Sequence, residues 1–151
     1  RNFHLELTAE HASYLVKVRG YGPSTAGAYT LNVTMTAPPD DHGNDNASGT
    51  ELMFQGAGAH ELDAVLDAGD TDVFRIEALQ DGAISAFTEG STDTYGTLYA
   101  ADGTQLDQDD DSGEGYNLAV TADVQAGTYF LHVRGYSGST NGPYHLRVTL
   151  E

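Results

Sequence analysis

The chain of 151 residues contains no cysteine and no tryptophan, and Lys17 is its only lysine. Without cysteine, disulfides and thiolate metal sites are excluded, so another device must staple the fold if the protein is extracellular. No apolar run approaches the ~20 residues that span a bilayer, which argues against membrane insertion. The sequence begins at Arg1 without an initiator methionine or a signal peptide, so we interpret it as a mature form or a fragment.

Positive charge is also scarce, with six Lys and Arg against 23 Asp and Glu and a net charge of −17. Nucleic acid is excluded as a partner because its affinity depends on neutralising phosphates, and an anionic membrane surface is disfavoured for the same reason. Such a charge needs cations, held either as a diffuse atmosphere around a solubilising, salt-adapted surface or as bound metal. The two interpretations are compatible.

What the sequence does contain is strand-like alternation. In "YFLHVR" (129–134) the apolar Tyr129, Leu131 and Val133 alternate with the other three residues, which is typical of a half-buried strand. The same pattern predicts further strands at 3–8, 14–19, 28–35, 51–55, 62–66, 72–78, 83–88, 94–100, 116–121 and 143–150. Glycine-rich turns separate them, and Asp102-Gly103 indicates a hairpin. We therefore predict an all-β, antiparallel, jelly-roll-like β-sandwich.

An internal repeat sets the predicted domain organisation. "VRGYGPSTAGAYTLNVT" (18–34) and "VRGYSGSTNGPYHLRVT" (133–149) match at eleven of seventeen positions, 115 residues apart. "LELTAEHASY" (5–14) also resembles "LAVTADVQAGTY" (118–129) with two residues dropped. A Pro-containing linker, "TAPPDD", follows the first copy. We predict that 1–36 holds the closing strands of a partial sandwich and that 37–151 is a complete domain.

The second unit resembles the bacterial pre-peptidase C-terminal domain. The resemblance rests, in chain order, on "PDDHGNDNAS" (39–48), "GDTDVFRIEA" (69–78), "STDTYGTLYAADGTQLDQDDDSGEG" (91–115) and "AGTYFLHVRGYSGSTNGPYHLRV" (126–148). It implies a β-sandwich module of secreted peptidases and other extracellular proteins, and hence an extracellular location. No peptidase precedes the domain in this sequence.

Two acidic clusters are candidate cation sites. Ca²⁺ prefers six to eight oxygen ligands from carboxylates, amides and carbonyls, which a loop rich in Asp, Asn and Gly supplies. We expect the first site where the 40–45 loop meets the 69–72 turn, and the resemblance implies calcium at that junction. Its candidate ligands are Asp40, Asp41, Asn44, Asp45, Asp70 and Asp72. The alternative is that Asp and Asn serve only as turn formers.

The second cluster follows the predicted hairpin, where consecutive carboxylates repel one another unless they are solvated or bridged by a cation. Its candidates are Asp93, Asp109, Asp110 and Asp111. The spacing does not follow the EF-hand pattern, so a possible second calcium site and a solvated acidic loop are both retained.

No catalytic constellation is present. "GYSGS" (135–139) lies between two predicted strands rather than in the strand-to-helix turn of a nucleophile elbow. We predict no enzymatic activity. Asn32 and Asn46 open Asn-x-Ser/Thr sequons, which give weak support for secretion as glycosylation sites. Tyr95, Tyr99 and Tyr116 are candidates for a flat face that binds polysaccharide or protein.

These features predict a non-catalytic, calcium-stabilised extracellular structural or adhesive module. The closing strands in 1–36 would expose an apolar face if left alone, which forgoes roughly 1.5–3 kcal/mol per side chain. We therefore expect a tandem array or a head-to-tail filament formed by strand addition, with copies of the protein or adjacent domains as partners, and possibly an extracellular polymer or surface. The alternative is an accessory domain that targets a secreted enzyme to a polysaccharide or protein.

Overall fold

The computed structural model describes residues 4–5, 15–34 and 40–151. The chain separates into two compact units, Arg1–Ala37 and Pro38–Glu151. All strands of the described residues lie in the second unit. They are β1 (Thr50–Phe54), β2 (Gly58–Leu66), β3 (Thr71–Ala78), β4 (Gly82–Glu89), β5 (Thr94–Ala100), β6 (Gln105–Asp109), β7 (Ala119–Val124), β8 (Gly127–Gly135) and β9 (Gly142–Leu150). Within the described parts of the chain, no helix is long and apolar enough to cross a membrane.

The strands form two sheets, which confirms the predicted β-sandwich. The five-stranded sheet has the order β1-β3-β8-β5-β6, and the four-stranded sheet has the order β2-β9-β4-β7. Every neighbouring pair is antiparallel except β1 and β3, which run parallel, so the sandwich is predominantly antiparallel with one parallel pair at an edge. The reason is that β2 lies between them in the chain but in the other sheet, and two reversals bring β3 alongside β1 in the same direction.

The alternation read from the sequence corresponds to the two faces of each sheet. On β8, Leu131 and Val133 are fully buried whereas Arg134 is exposed. On β9, Leu146 and Val148 are equally buried and pack into the same core. Both strands are central in their sheets, so the closing part of the unit supplies the middle of each layer.

Two strand predictions needed correction. The last predicted strand before β8 was placed at 116–121, but β7 begins at Ala119 because Asn117 is held in the preceding loop. Its side-chain amide donates to the carbonyls of Gly90 (3.1 Å) and Glu114 (2.6 Å). The predicted hairpin at Asp102-Gly103 is present, but its second strand, β6, was not delimited from the sequence because it is mostly polar and lies at a sheet edge.

The first unit departs further from the prediction. Strands were expected at 14–19 and 28–35, yet the described residues 15–34 form no strand. Residues 14 and 35, and most of the predicted strand at 3–8, lie outside the described residues. Apolar side chains of this unit are exposed, namely Leu5, Leu15, Val16, Tyr21, Tyr29, Leu31 and Val33. Alternation does not produce a stable strand pair when the paired strands have no second layer on which to bury a face.

Candidate metal centre

The candidate site forms where the segment leading into β1 meets the turn between β2 and β3. The backbone N–H of Val73 donates to the carbonyl of Gly43 (3.0 Å), which ties the leading segment to the start of β3. The turn is closed by a hydrogen bond from the N–H of Asp70 to the carbonyl of Asp67 (3.1 Å). Gly69 completes the turn with a φ of 81°, a conformation that glycine adopts without strain. The 40–45 loop and the 69–72 turn therefore meet as predicted.

Four carboxylates converge at this junction. One oxygen from each of Asp40, Asp41, Asp70 and Asp72 lies within 4.8 Å of the others. Asp40 and Asp41 are exposed, Asp70 is half-buried and Asp72 is buried. Four like charges at this separation repel one another strongly unless protons or a cation intervene. Asp40, Asp41 and Asp70 line one side of an open cavity of about 490 Å³, whereas Asp72 lies outside its lining.

Asp72 is the innermost of the four. Its side chain is fully buried, and its Oδ2 accepts a hydrogen bond from the Tyr144 hydroxyl (2.6 Å) across the two sheets. Its Oδ1 is buried without a hydrogen-bond partner. Burial raises the pKa of Asp72 to about 7, the hydrogen bond from Tyr144 opposes this shift, and the charges of Asp70 and Asp41 add to it. A buried carboxylate with a free oxygen calls for either a proton or a cation.

The outer members of the site are oriented by backbone groups. Asp41 Oδ2 accepts from the N–H of Val65 (2.8 Å), and Asp70 Oδ1 accepts from the N–H of Thr71 (2.7 Å). The second oxygen of Asp70, Oδ2, also accepts from a backbone group, the N–H of Asp67 (3.4 Å). The carboxylates are therefore positioned by the fold and do not depend on a ligand to bring them together.

Asn44 lies beside the carboxylates, whereas Asp45 points elsewhere. The Asn44 side-chain amide donates to Asp40 Oδ2 (2.9 Å). Asp45 Oδ1 instead accepts from the N–H groups of Ala47 (2.9 Å) and Ser48 (2.8 Å) and from the Ser48 hydroxyl (2.9 Å). These bonds lower the pKa of Asp45. Asp45 therefore acts as a turn former. This is the role that the alternative interpretation of the sequence gave to the whole cluster.

Of two further residues at the site, Tyr144 was missed in the sequence, whereas His42, inside the acidic opening 39–48, was a candidate neighbour of a metal. Tyr144 was assigned only a structural role, because nothing in the sequence links it to a carboxylate 72 positions away. His42 lies behind the cluster, with its ring 4.8 Å from that of Phe74 and its Nδ1 bonded to the Thr50 hydroxyl (2.7 Å). Its Nε2 is buried, has no hydrogen-bond partner and lies 3.9 Å from Asp41 Oδ2.

The second acidic cluster is built differently. Asp109 Oδ2 accepts from the N–H groups of Ser112 (2.9 Å) and Ala119 (2.8 Å). Burial acts to raise the pKa of Asp109, but these bonds and that from the Ser112 hydroxyl lower it overall. Burial and the nearby charges of Asp110 and Asp93 raise the pKa of Asp111. Among the described residues, only the first cluster brings three or more carboxylates within 4.8 Å.

The remaining candidates lie apart from both clusters. Tyr95 and Tyr99 are half-buried on the outer face of the five-stranded sheet, whereas Tyr116 is exposed in the loop before β7. The Arg134 guanidinium lies 4.0 Å from the centre of the Tyr95 ring, and Tyr99 packs against a histidine. The three tyrosines therefore do not share one strand face. The sequon residues, Asn32 and Asn46, are both exposed.

The donors at the first cluster fit calcium chemically. The converging groups are hard oxygens from four carboxylates, and two of the carboxylates are exposed with room for water ligands. Asn44 turns its amide nitrogen toward Asp40, and its Oδ1 accepts from the N–H of Thr71 (3.4 Å). The His42 ring lies beside the group, with its Nε2 3.9 Å from Asp41 Oδ2, and among the described residues neither a histidine nor a cysteine belongs to the converging group. The set therefore suits a hard divalent cation better than zinc.

No family model and no curated protein match the sequence. Solved structures do match. The pre-peptidase C-terminal domain of a collagenase from Bacillus anthracis is 17% identical, with a TM-score of 0.55, and the match covers 75% of this chain and 99% of that domain. The periplasmic inhibitor of g-type lysozyme PliG from Aeromonas hydrophila is 16% identical, with a TM-score of 0.52, and the match covers 68% of this chain and 96% of the inhibitor. These likenesses confirm the predicted resemblance at the level of the fold.

Proposed function

We propose that this protein is a non-catalytic, calcium-stabilised β-sandwich module of the extracellular space or cell envelope. The observation that carries the proposal is the buried, unpartnered Oδ1 of Asp72 within a group of four converging carboxylates. A bound Ca²⁺ would satisfy this oxygen and offset the mutual repulsion of the four charges.

Calcium at this position would act as the staple that the absent cysteines do not supply. Asp40 and Asp41 precede β1, whereas Asp70 and Asp72 belong to the β2–β3 turn and the start of β3. An ion shared between them joins the leading segment to the sandwich. A ligand that binds only the native state stabilises it by ~2.7 kcal/mol at a hundredfold excess over its Kd.

The module would serve in a repeated assembly, either a tandem array or a head-to-tail filament. The internal repeat supports this part of the proposal, since it places closing-strand sequence directly before the complete unit. Its partners would be adjacent domains or copies of itself. An envelope or extracellular location is supported by the fold shared with PliG, which is named as a periplasmic protein.

Thermal unfolding with calcium and with chelator tests the proposal. We expect calcium to raise the melting temperature of the wild-type protein, and we expect Asp40→Asn and Asp72→Asn to abolish that increase. Asp111→Asn is the matched control, because this exposed carboxylate belongs to the second cluster. Equal melting temperatures with and without calcium would contradict the proposal. If only Asp111→Asn loses the increase in melting temperature, the calcium site lies in the second cluster.

A further inference from the structure

The two copies of the repeat form the same turn. In the complete unit, the N–H of Thr140 donates to the carbonyl of Ser137 (3.0 Å), and its hydroxyl accepts from the Ser137 N–H (3.2 Å). In the first unit, Thr25 makes the same two bonds with Gly22 at 3.0 and 3.1 Å. The positions correspond at the repeat offset of 115 residues. The local geometry of the β8–β9 connection is thus present in the first unit without its sandwich.

A close approach inside this turn is also reproduced. A Cβ atom added at Gly135 would lie 2.5 Å from the Thr140 Cβ, and one added at Gly20 would lie 2.7 Å from the Thr25 Cβ. Both distances are shorter than non-bonded carbons tolerate. In each copy, the threonine lies so close to the glycine that no larger residue fits there. The two copies therefore share a backbone path at this point.

The copies differ in what covers their apolar side chains. Leu31 is 44% exposed, whereas its counterpart Leu146 is fully buried. Val33 is 72% exposed, whereas Val148 is fully buried. The same contrast holds for Val16 and Leu131, for Tyr29 and Tyr144, and, through the upstream alignment, for Leu5 and Leu118. The complete unit shows what such side chains pack against, namely strands of both sheets of a sandwich.

The topology limits which partner can provide that surface. β8 is hydrogen-bonded on both sides, to β3 and β5, and β9 is hydrogen-bonded on both sides, to β2 and β4. Two consecutive strands of this kind enter two central positions at once, one in each sheet. In a complete unit both positions are already filled by the unit's own strands. The two positions that β8 and β9 occupy in a complete unit are therefore closed to a second copy of the repeat.

We propose that residues 15–34 are the β8–β9 closing pair of a second sandwich, whose partner is a polypeptide equivalent to β1–β6 that lacks its own closing strands. This inference rests on the repeated assembly proposed above and decides between its two forms. It favours units placed in series along one polypeptide over a filament made by adding strands to the edge of a finished unit. The sequence of the partner would resemble that of residues 38–115, which contain β1–β6.

Two extended versions of the full chain test this assignment. In the first, a copy of residues 38–115 is joined directly before Phe3, which the upstream alignment places opposite Tyr116. In the second, a copy of 38–151 is joined at the same point, so that the added sandwich already holds its closing strands. Amide hydrogen exchange is followed at residues 15–34 in both proteins and in the original chain, with a globally folded reference at 130–149.

We expect protection of 15–34 to rise by at least roughly 10³-fold in the first protein and to remain near that of the original chain in the second. Leu31→Asp in the first protein should remove the gain while leaving 130–149 protected. Protection in neither extended protein overturns the proposal. Equal protection in both also overturns it, because it means docking on a finished sandwich. Calcium binding at the second unit is measured separately, so its failure would leave this result interpretable.

Discussion

Residues 18–34 and 133–149 share eleven of seventeen residues and one turn geometry, yet only the second copy forms strands among the described residues. The turn depends on neighbours within a few positions, a glycine and a threonine, and both copies contain them. The strands of the second copy depend on residues far away in the chain, namely those of β2, β3, β4 and β5, with which they pair. Strand propensity measures how well a segment fits a half-buried, paired surface, and it cannot act where that surface is missing.

Equivalent leucines provide the largest test of this difference. Leu146→Ala removes a fully buried side chain from the core and should lower the free energy of unfolding by about 2–5 kcal/mol. Leu31→Ala, at the matching position, should change it by less than about 0.5 kcal/mol, because the side chain is exposed. Denaturant unfolding followed by circular dichroism measures both. Similar losses for the two variants would show that the first copy is packed in solution.

The buried carboxylate of Asp72 offers a second test, through the pH dependence of the free energy of unfolding. Because its folded pKa is raised to about 7, the native state of the calcium-free protein binds more protons than the unfolded chain between the two pKa values. Its contribution to stability is fully present below the unfolded pKa and is lost as pH rises through about 7. In chelator, stability should fall by on the order of 3 kcal/mol between about pH 5 and pH 8.

Matched variants test whether Asp72 and its hydrogen bond to Tyr144 set this pH dependence. Asp72→Asn should reduce the fall in the free energy of unfolding between about pH 5 and pH 8. Tyr144→Phe removes a hydrogen bond that lowers the pKa of Asp72, and should shift the loss of stability to higher pH. Tyr29→Phe, at the corresponding exposed position, should leave the profile unchanged. A pH dependence of stability that is unchanged in Asp72→Asn, or altered in Tyr29→Phe, would contradict this role of Asp72.

The shared turn gives the smallest expected effect. Gly135→Ala forces a Cβ against Thr140 inside the complete unit and should cost about 1–3 kcal/mol. Gly20→Ala creates the same collision with Thr25 but should leave the global unfolding transition unchanged, altering only the amide signals of its own turn. Unfolding midpoints and NMR spectra of the two variants make the comparison. An equal loss of global stability in both would mean that the first turn is part of the folded core.

The candidate site was only partly readable from the sequence. The Gly-Asp-x-Asp turn and the acidic leading segment were predicted to meet, and Asp40, Asp41, Asp70 and Asp72 do converge. Asp45 and Asp109 were predicted as ligands, but each accepts hydrogen bonds from backbone N–H groups of its own turn. The sequence does not distinguish such a turn-forming aspartate from one that faces a cavity, because both occur among the same types of neighbouring residue. Asp72 was a candidate, but its burial and its bond to Tyr144 are long-range facts.

The sequence by itself determined the β class, the positions of most strands, the Asp102-Gly103 hairpin and the repeat, because these depend on alternation and on contacts within a few residues. Only the tertiary structure decided that β1 runs parallel to β3, that β8 and β9 are central, and which aspartates meet. The two copies show the reason most directly. The glycine and the threonine that both copies share specify the same turn, whereas burial is supplied by strands elsewhere in the chain, which cover only the second copy among the described residues.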